Sequence, residues 1–340
     1  MLIFSFTILL FFQSIMVPNV ASEKSNPSPN NLIGKATCVS MPEPMASKLV
    51  SSNIIFQSTD DGQSWQDISS GLPSDLKAEE VFVSNNELYI SASLGMYRSS
   101  AAHPAPVWTK EFYFDNRSTH FSSGRSGLFA FNSQGHFYKK LYGTGIWLPT
   151  FKNFEGTSIR TIMETQEGII FIGSDKGIFK SADQGNSWKH VFSDGWVIRI
   201  VESDGVLLCT NNQGILRSTD QGENWNLVIS EGGVGIAVEQ IEGGFAAITY
   251  NTESKTRRVR TSTDSGKTWQ AIDAGLPAQA SIASIKQVGM YFFCGHPDGI
   301  FRSANKGKTW QLLLPAVDKK VFNLSVSDKV IFALPKDAGC

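Results

Sequence analysis

The eight-residue stretch STDDGQSW (residues 58–65) decides the fold, because close copies of it recur along the chain. The other copies are SADQGNSW (181–188), STDQGENW (218–225), STDSGKTW (262–269) and SANKGKTW (303–310). Every copy has Ser first, Asp or Asn third, Gly fifth and Trp eighth. The last three positions are occupied by Asp60, Gly62, Trp65, Asp183, Gly185, Trp188, Asp220, Gly222, Trp225, Asp264, Gly266, Trp269, Asn305, Gly307 and Trp310.

The tryptophans recur at a regular spacing, which gives the length of the repeat. Two further tryptophans, Trp108 and Trp147, fill the long gap between the first and second copies. Successive tryptophans in the series are then separated by 43, 39, 41, 37, 44 and 41 residues. A period near 40 residues indicates a repeat architecture.

Each period contains four short β-rich runs. In the repeat that ends near residue 230, the runs are 196–203, 206–210, 215–219 and 224–230, separated by Asp-, Asn- and Gly-rich turns. Four strands in about 40 residues are typical of a β-propeller blade. We label the strands of a blade A to D from the axis outward.

The ends of the repeat array predict how the ring closes. The array begins with a C–D pair (53–69) and finishes with an A–B pair (320–334), with six complete units between them. Joining the two pairs would complete a seventh blade and remove exposed sheet edges. The sequence therefore predicts an all-β, seven-bladed propeller of four-stranded antiparallel blades.

The repeated stretch itself is interpreted as a C–D hairpin. An Asp side chain can accept backbone hydrogen bonds that close such a turn, and Gly can adopt the backbone conformation that the turn needs. The Trp ring can then pack between blades. Each copy offers one consistent carboxylate, whereas calcium takes six to eight oxygen ligands. We therefore expect no metal and no cofactor at these turns.

This stretch resembles the Asp-box, or BNR repeat, whose pattern is S-x-D-x-G-x-T-W. The resemblance spans about residues 50–335, although the second and third units (99–108 and 140–147) have lost the box and keep the Trp and the strand pattern. Asp-boxes occur in sialidases, sortilin-type receptors, xyloglucan-degrading enzymes and photosystem II assembly factors. The resemblance implies the propeller fold and leaves the activity open.

The segment before the propeller has two parts. Residues 1–22 contain an apolar run and are predicted to be a signal peptide, or alternatively an N-terminal anchor. Residues 23–37 are polar and Pro-rich, as expected of a tether, and residues 38–340 form the propeller. This organisation predicts a secreted or periplasmic protein with no other membrane span.

The four cysteines fall into two groups. Cys209 and Cys294 follow apolar residues on predicted B strands and are interpreted as small buried side chains. Cys38 and Cys340 lie near the two ends that would meet at the first blade. They form either a disulfide that restricts the unfolded chain or two free thiols.

Candidate chemistry on the inner strands is sparse. The cations Arg160 and Arg199 could reach the channel, together with the acids Glu164 and Glu202. Inner-strand or adjoining acids in the whole chain are Glu79, Glu80, Asp115, Glu155, Glu164, Glu202 and Glu239. Glycoside hydrolysis needs two facing carboxylates, and the sialidases of this type add three arginines, one of them in an F/Y-R-I-P motif that is missing here.

The net charge of −1 argues against sequence-independent binding of nucleic acid. Taken together, the sequence favours an exported, monomeric, non-catalytic module that binds a protein or a glycan on one propeller face. Two alternatives are an exo-sialidase-like glycoside hydrolase and an assembly factor for a membrane protein complex.

Overall fold

The computed structural model describes residues 53–92, 95–101, 106–111, 119–149, 154, 156–230 and 233–337. All regular elements within these ranges are β-strands, arranged as seven four-stranded antiparallel sheets. This arrangement confirms the predicted seven-bladed propeller. Within the same ranges, no helix has the length and apolar character needed to cross a membrane.

The strands follow the chain in blade order. Blade 1 starts with β1 (Phe56–Ser58) and β2 (Gln66–Asp67). Blade 2 contains β3 (Ala78–Ser84), β4 (Glu87–Ala92), β5 (Gly95–Ser100) and β6 (Thr109–Lys110). Blade 3 contains β7 (Thr119–Ser123), β8 (Gly127–Asn132), β9 (Phe137–Leu141) and β10 (Trp147–Pro149). Blade 4 contains β11 (Ile159–Glu164), β12 (Ile170–Ser174), β13 (Gly177–Ser181) and β14 (Lys189–Phe192).

The remaining blades repeat the pattern. Blade 5 contains β15 (Val197–Ser203), β16 (Val206–Asn211), β17 (Gly214–Ser218) and β18 (Asn226–Ile229). Blade 6 contains β19 (Gly233–Ile241), β20 (Gly244–Asn251), β21 (Thr256–Ser262) and β22 (Gln270–Ala271). Blade 7 contains β23 (Ser284–Val288), β24 (Tyr291–His296), β25 (Gly299–Ser303) and β26 (Gln311–Pro315). Blade 1 is completed by β27 (Val321–Ser327) and β28 (Val330–Lys336).

The ring closes as the sequence predicts. Strand β1 pairs with β28, with Phe56 opposite Ala333 and Ser58 opposite Ile331. The first strand of every blade packs against the first strands of both neighbouring blades, including β27 against β3 and β23. These seven inner strands therefore surround the central channel.

The hydrophobic core lies between the blades. The B strands β8 and β16 are buried along their whole length, because both faces of these strands are covered. One apolar cluster joins Phe171 and Ile178 of blade 4 to Val197 and Leu207 of blade 5. Burial of these faces is the main stabilising contribution, so each blade depends on its neighbours.

Candidate functional site

The repeated turns have the same hydrogen bonds in each described copy. In blade 5, Ser218 Oγ donates to Asp220 Oδ1 at 2.7 Å and accepts from Gly222 N at 3.0 Å. Asp220 Oδ1 also accepts from Asn224 N at 3.0 Å. This backbone donor lies four residues beyond the Asp, so the carboxylate spans the whole hairpin.

The Trp of the repeated turn is also held by a hydrogen bond, which goes to the Gly carbonyl in four copies and to Ile272 O for Trp310. Trp225 Nε1 donates to Gly222 O at 3.1 Å, and the indole packs edge-on against Phe171 of blade 4, with centroids 6.4 Å apart. A Cβ on Gly222, whose φ is +78°, would lie 2.4 Å from that Phe171 ring. The repeated turn of blade 5 therefore holds this blade against the preceding one.

A cation links each of three C strands to the next repeated turn. Arg217 Nε donates to Ser265 O at 2.7 Å, and Arg302 Nη1 donates to Asp61 O at 2.8 Å. Lys180 Nζ occupies the same strand position in blade 4 and binds Glu223 Oε1 at 2.6 Å. The side chain before each of these turns thus joins blade n to blade n + 1, which places these cations outside the channel.

Blade 3 lacks the repeated turn, and blade 2 contacts it in a different way. Arg98 of blade 2 stands at the position of Arg217 but binds Glu87 Oε1 at 2.7 Å and Glu111 Oε2 at 2.9 Å. Lys140 of blade 3 also contacts Glu111. An ion-pair network therefore replaces the turn-to-strand contact between blades 2 and 3.

The C–D turn of blade 3 is apolar. We call residues 141–148 the blade 3 hairpin. Ile146 is 60% exposed and Leu148 is 47% exposed, and Leu141 and Tyr142 are also exposed. Tyr142 is fixed by hydrogen bonds, because its hydroxyl lies 2.5 Å from Ser84 Oγ and 2.8 Å from Gly124 O. The hydrogen bonds of Tyr142 therefore fix the hairpin, and its aliphatic side chains are exposed to solvent.

Charged side chains from four blades meet in the channel. We call Glu80, Arg199, Glu239 and Lys286 the channel cluster. Arg199 Nη1 lies 3.6 Å from Glu80 Oε1, and Arg199 Nη2 lies 3.5 Å from Glu239 Oε1. Lys286 Nζ is 2.7 Å from the same Glu239 oxygen. These four side chains line a cavity of about 80 Å³ together with Val81, Asn323, Leu324 and Ser325.

The charges of the channel cluster balance. The Glu239 carboxylate raises the pKa of Arg199 above its usual value, against the effect of burial. Burial would raise the pKa of Glu239, but the charges of Lys286 and Arg199 outweigh it and hold that pKa below its usual value. Glu239 is therefore a stabilised carboxylate rather than a carboxylic acid.

The structure separates the channel residues that the sequence grouped. Arg199 joins the channel cluster, whereas the Arg160 guanidinium lies over the Trp196 ring, 5.7 Å from its centroid. Glu164 Oε2 accepts from Ser126 N and Oγ at 3.0 and 2.7 Å.

Glu202 of blade 5 makes a contact equivalent to that of Glu164 in blade 4. Its Oε2 accepts from Gln166 N at 2.9 Å. Both acids thus bind the A–B turn of the preceding blade, and they connect blades at one end of the channel.

Two other groups of predicted residues remain, and the structure describes only the first. Cys209 and Cys294 are fully buried, and burial raises the pKa of both thiols. They behave as apolar side chains. Cys38, Cys340, Asp115 and Glu155 lie outside the described residues.

The sequence did not reveal the channel cluster as a group. Glu80 and Glu239 were among the candidate acids, but Lys286 and Asn323 carried no recognisable signal. A single Lys or Asn on a predicted strand is ordinary, and only the ring brings them together. The blade 3 hairpin did carry a signal, because apolar residues replace the polar repeated turn in KLYGTGIWL (140–148).

Comparisons with known proteins were made by sequence and by structure. No protein-family model matches the sequence, and no curated protein matches it. Solved structures do match. YCF48 bound to D1 peptide has a TM-score of 0.55 at 12% identity, covering 77% of this chain and 94% of that chain.

Two enzymes have comparable folds. The GH74 xyloglucanase from Xanthomonas campestris has a TM-score of 0.61 at 14% identity, covering 80% of this chain and 53% of that chain. An inactive virginiamycin B lyase from Staphylococcus aureus, solved with quinupristin, has a TM-score of 0.60 at 15% identity and covers 77% and 95%. At these identities the likeness shows the propeller fold alone.

Proposed function

We propose that this chain is an exported, non-catalytic propeller of the Asp-box type that binds a partner protein through the blade 3 hairpin. The observation that carries the proposal is the exposure of Ile146 and Leu148 at a turn whose equivalents in five other blades are polar. Contiguous exposed apolar side chains mark interaction sites on soluble proteins. The apolar run in residues 1–22 supports export.

The chemistry of the hairpin favours a protein over a glycan. Fully burying one Ile or Leu side chain contributes about 1.5–3 kcal/mol, and these two are about half exposed. Sugars are held mainly by aromatic rings and paired polar groups, whereas the hydroxyl of Tyr142 is already bound to Ser84 and Gly124. An apolar protein surface would bury these aliphatic side chains and gain the free energy of their burial.

The channel cluster argues against the hydrolase alternative. A glycosidase needs one carboxyl group that holds a proton near neutral pH. Lys286 and Arg199 favour the charged form of Glu239, and Arg199 also lies beside Glu80. An assembly factor for a membrane complex would be one kind of protein-binding module, and the propeller of YCF48 supports it at the level of fold only.

The test compares two pairs of exposed side chains. The full-length protein is used to isolate its partner from the source organism, and the purified partner is then titrated against the variants. We expect Ile146→Ser combined with Leu148→Ser to weaken binding at least about tenfold, which corresponds to about 1.4 kcal/mol.

The matched control is Leu227→Ser combined with Leu312→Ser, on the outer strands of blades 5 and 7, where both side chains are similarly exposed. The control should bind as the wild type does. Equal binding by both double variants would refute the hairpin as the interface. Turnover of fluorogenic glycosides that is lost in Glu239→Gln would instead support a hydrolase.

A further inference from the structure

Another cavity lies beside the third and fourth strands of blade 6. It is lined by residues 256–258 of β21 and by residues between 271 and 282, which include the connection from β22 to β23. We call it the blade 6 cavity. Its volume of about 430 Å³ is within the range of about 300–1,000 Å³ that is typical of small-molecule sites. The cavity is therefore large enough for a small organic ligand.

The course of this connection explains why a cavity forms. Strand β22 is only two residues long, so it covers only part of the longer β21. Past β22, Ile272 N donates to Val259 O at 2.9 Å, and Arg257 N donates to Gln279 O at 3.0 Å. Between these two bonds, residues 273–278 loop away from β21. The cavity lies between this loop and the strand.

Blade 1 has a counterpart of this connection. The sequence ISSGLP (68–73) matches IDAGLP (272–277), and each begins three residues after the Trp of its repeated turn. Ile68 N donates to Ile55 O at 3.0 Å, as the corresponding groups do in blade 6. The two connections can therefore be compared position by position.

The comparison shows which side chains blade 6 lacks. In blade 1, Ile54 and Leu76 are buried in one apolar cluster. Their counterparts in blade 6 are Arg258, which lines the cavity, and Ala280, and both are exposed. Two large apolar side chains are thus replaced by a charged one and a methyl group. The cavity is therefore a feature of the blade 6 sequence, since the same connection is packed in blade 1.

The lining of the blade 6 cavity is cationic and otherwise mainly apolar. Arg258 donates to Asp273 through Nε at 2.6 Å and through Nη2 at 3.2 Å, so these two charges balance. Arg257 adds a second cation, which is buried and donates from Nη1 to Ile282 O at 2.5 Å. Two cations and one carboxylate give the lining a net charge of +1. Apart from Thr256, the other lining residues are apolar.

We propose that the blade 6 cavity binds a small organic carboxylate that has an apolar body. The carboxylate would pair with the Arg257 guanidinium, because planar N–H groups match carboxylate oxygens. In a partly enclosed cavity this attraction exceeds that of an exposed ion pair. The apolar body would lie against Leu276, Pro277 and Ile282 and lose its contact with water. A neutral ligand would gain nothing from the Arg257 charge, and a dianion would exceed the charge of the lining.

Isothermal titration calorimetry of the full-length protein tests this ligand class. The probes are hydrocinnamate, its neutral amide hydrocinnamamide, and acetate, which lacks the apolar body. We expect hydrocinnamate to bind at a single site, and the other two probes to bind at least about tenfold more weakly. Equal affinity for the amide would refute the role of the charge, and equal affinity for acetate would refute the role of the apolar wall. The absence of saturable hydrocinnamate binding would overturn the proposal.

Three variants locate the site. Arg257→Met removes the charge but keeps a long side chain, and it should weaken hydrocinnamate binding at least about tenfold. The matched control is Arg260→Met, because Arg260 is similarly buried on the same strand but lies outside the lining and binds Thr249 Oγ1 at 2.8 Å. The control should bind as the wild type does. Ala278→Phe adds a ring at an exposed lining position and should abolish binding.

The three variants also decide between a site and a general effect on the fold. Wild-type affinity in both Arg257→Met and Ala278→Phe would refute the assignment to the blade 6 cavity. An equal loss of binding in Arg257→Met and Arg260→Met would refute the role of Arg257. If Arg257→Met does not fold, Ala278→Phe and the comparison of hydrocinnamate with its amide still decide the question. The blade 3 hairpin plays no part in these measurements, so they do not depend on the proposed protein interface.

Discussion

Replacing Asp220 tests whether the repeated turn is a structural device. In blade 5 its carboxylate accepts from Ser218 Oγ at 2.7 Å, from Asn224 N at 3.0 Å and from Asn224 Nδ2 at 2.7 Å. Blade 7 carries a natural comparison, since Asn305 accepts from Thr309 N at 2.9 Å with the same geometry. A neutral amide can therefore hold this turn.

The expected magnitudes follow from this comparison. Asp220→Ala loses all three hydrogen bonds, and the loss of comparable capping side chains costs about 1 kcal/mol of unfolding free energy, with a range of about 0.5–2. Asp220→Asn keeps an acceptor for Asn224 N and should cost less than about 0.5 kcal/mol at neutral pH. The assay is equilibrium urea unfolding followed by tryptophan fluorescence.

The pH dependence adds a second, independent readout. Hydrogen bonds from the backbone and side chain of Asn224 lower the pKa of Asp220 from 3.8 to about 2. Because the folded value is below the unfolded value, the carboxylate contributes stability above about pH 4 and loses it as the pH falls towards 2. Asp220→Asn should therefore lose less stability than the wild type across this interval.

Two results would refute this account of the turn. Asp220→Ala could prove as stable as the wild type at pH 7, which would mean that the hydrogen bonds contribute nothing. Alternatively, the wild type and Asp220→Asn could lose stability in parallel between pH 4 and pH 2, which would mean that the lowered pKa does not stabilise the folded state.

Two further predictions concern contacts between blades. Trp225→Ala removes an indole that packs edge-on against Phe171 and should cost about 3 kcal/mol in urea unfolding, whereas a loss below about 1 would contradict the packing. Arg302→Ala removes the bond to Asp61 O and should cost about 1–2 kcal/mol by thermal unfolding. Its control is Arg258→Ala, which breaks an ion pair within blade 6 between a half-exposed guanidinium and the partly buried carboxylate of Asp273. Since Asp273 keeps its hydrogen bond from Val259 N, the control should cost less than about 1 kcal/mol, and equal losses would mean that the link between blades adds nothing.

The fold could be predicted because its information is local and repeated. Five copies of one turn, seven regularly spaced tryptophans and a split first blade determine blade number and closure without any long-range calculation. The prediction depended on turn chemistry, in which Gly and Asp have defined roles. The same roles are visible in the hydrogen bonds of Asp220 and Gly222.

The candidate site could not be predicted to the same extent, because it depends on which way side chains point. Arg199 and Glu202 are three residues apart on one strand, so they face in different directions, and only Arg199 reaches the channel cluster. A register shift between Val197 and Ile200 changes the alternation further. A partner such as Lys286 lies 87 residues beyond Arg199, and only the closed ring brings the two together.

The shared first blade has a consequence for synthesis and truncation. Strands β1 and β2 leave the ribosome first but have no inner partner until β27 and β28 arrive. Until then Phe56–Ser58 is an unpaired edge, which is a template for association with other chains. A nascent chain would therefore need protection for nearly the whole of its translation, and a product that stops before Val321 should aggregate rather than persist as a six-bladed ring.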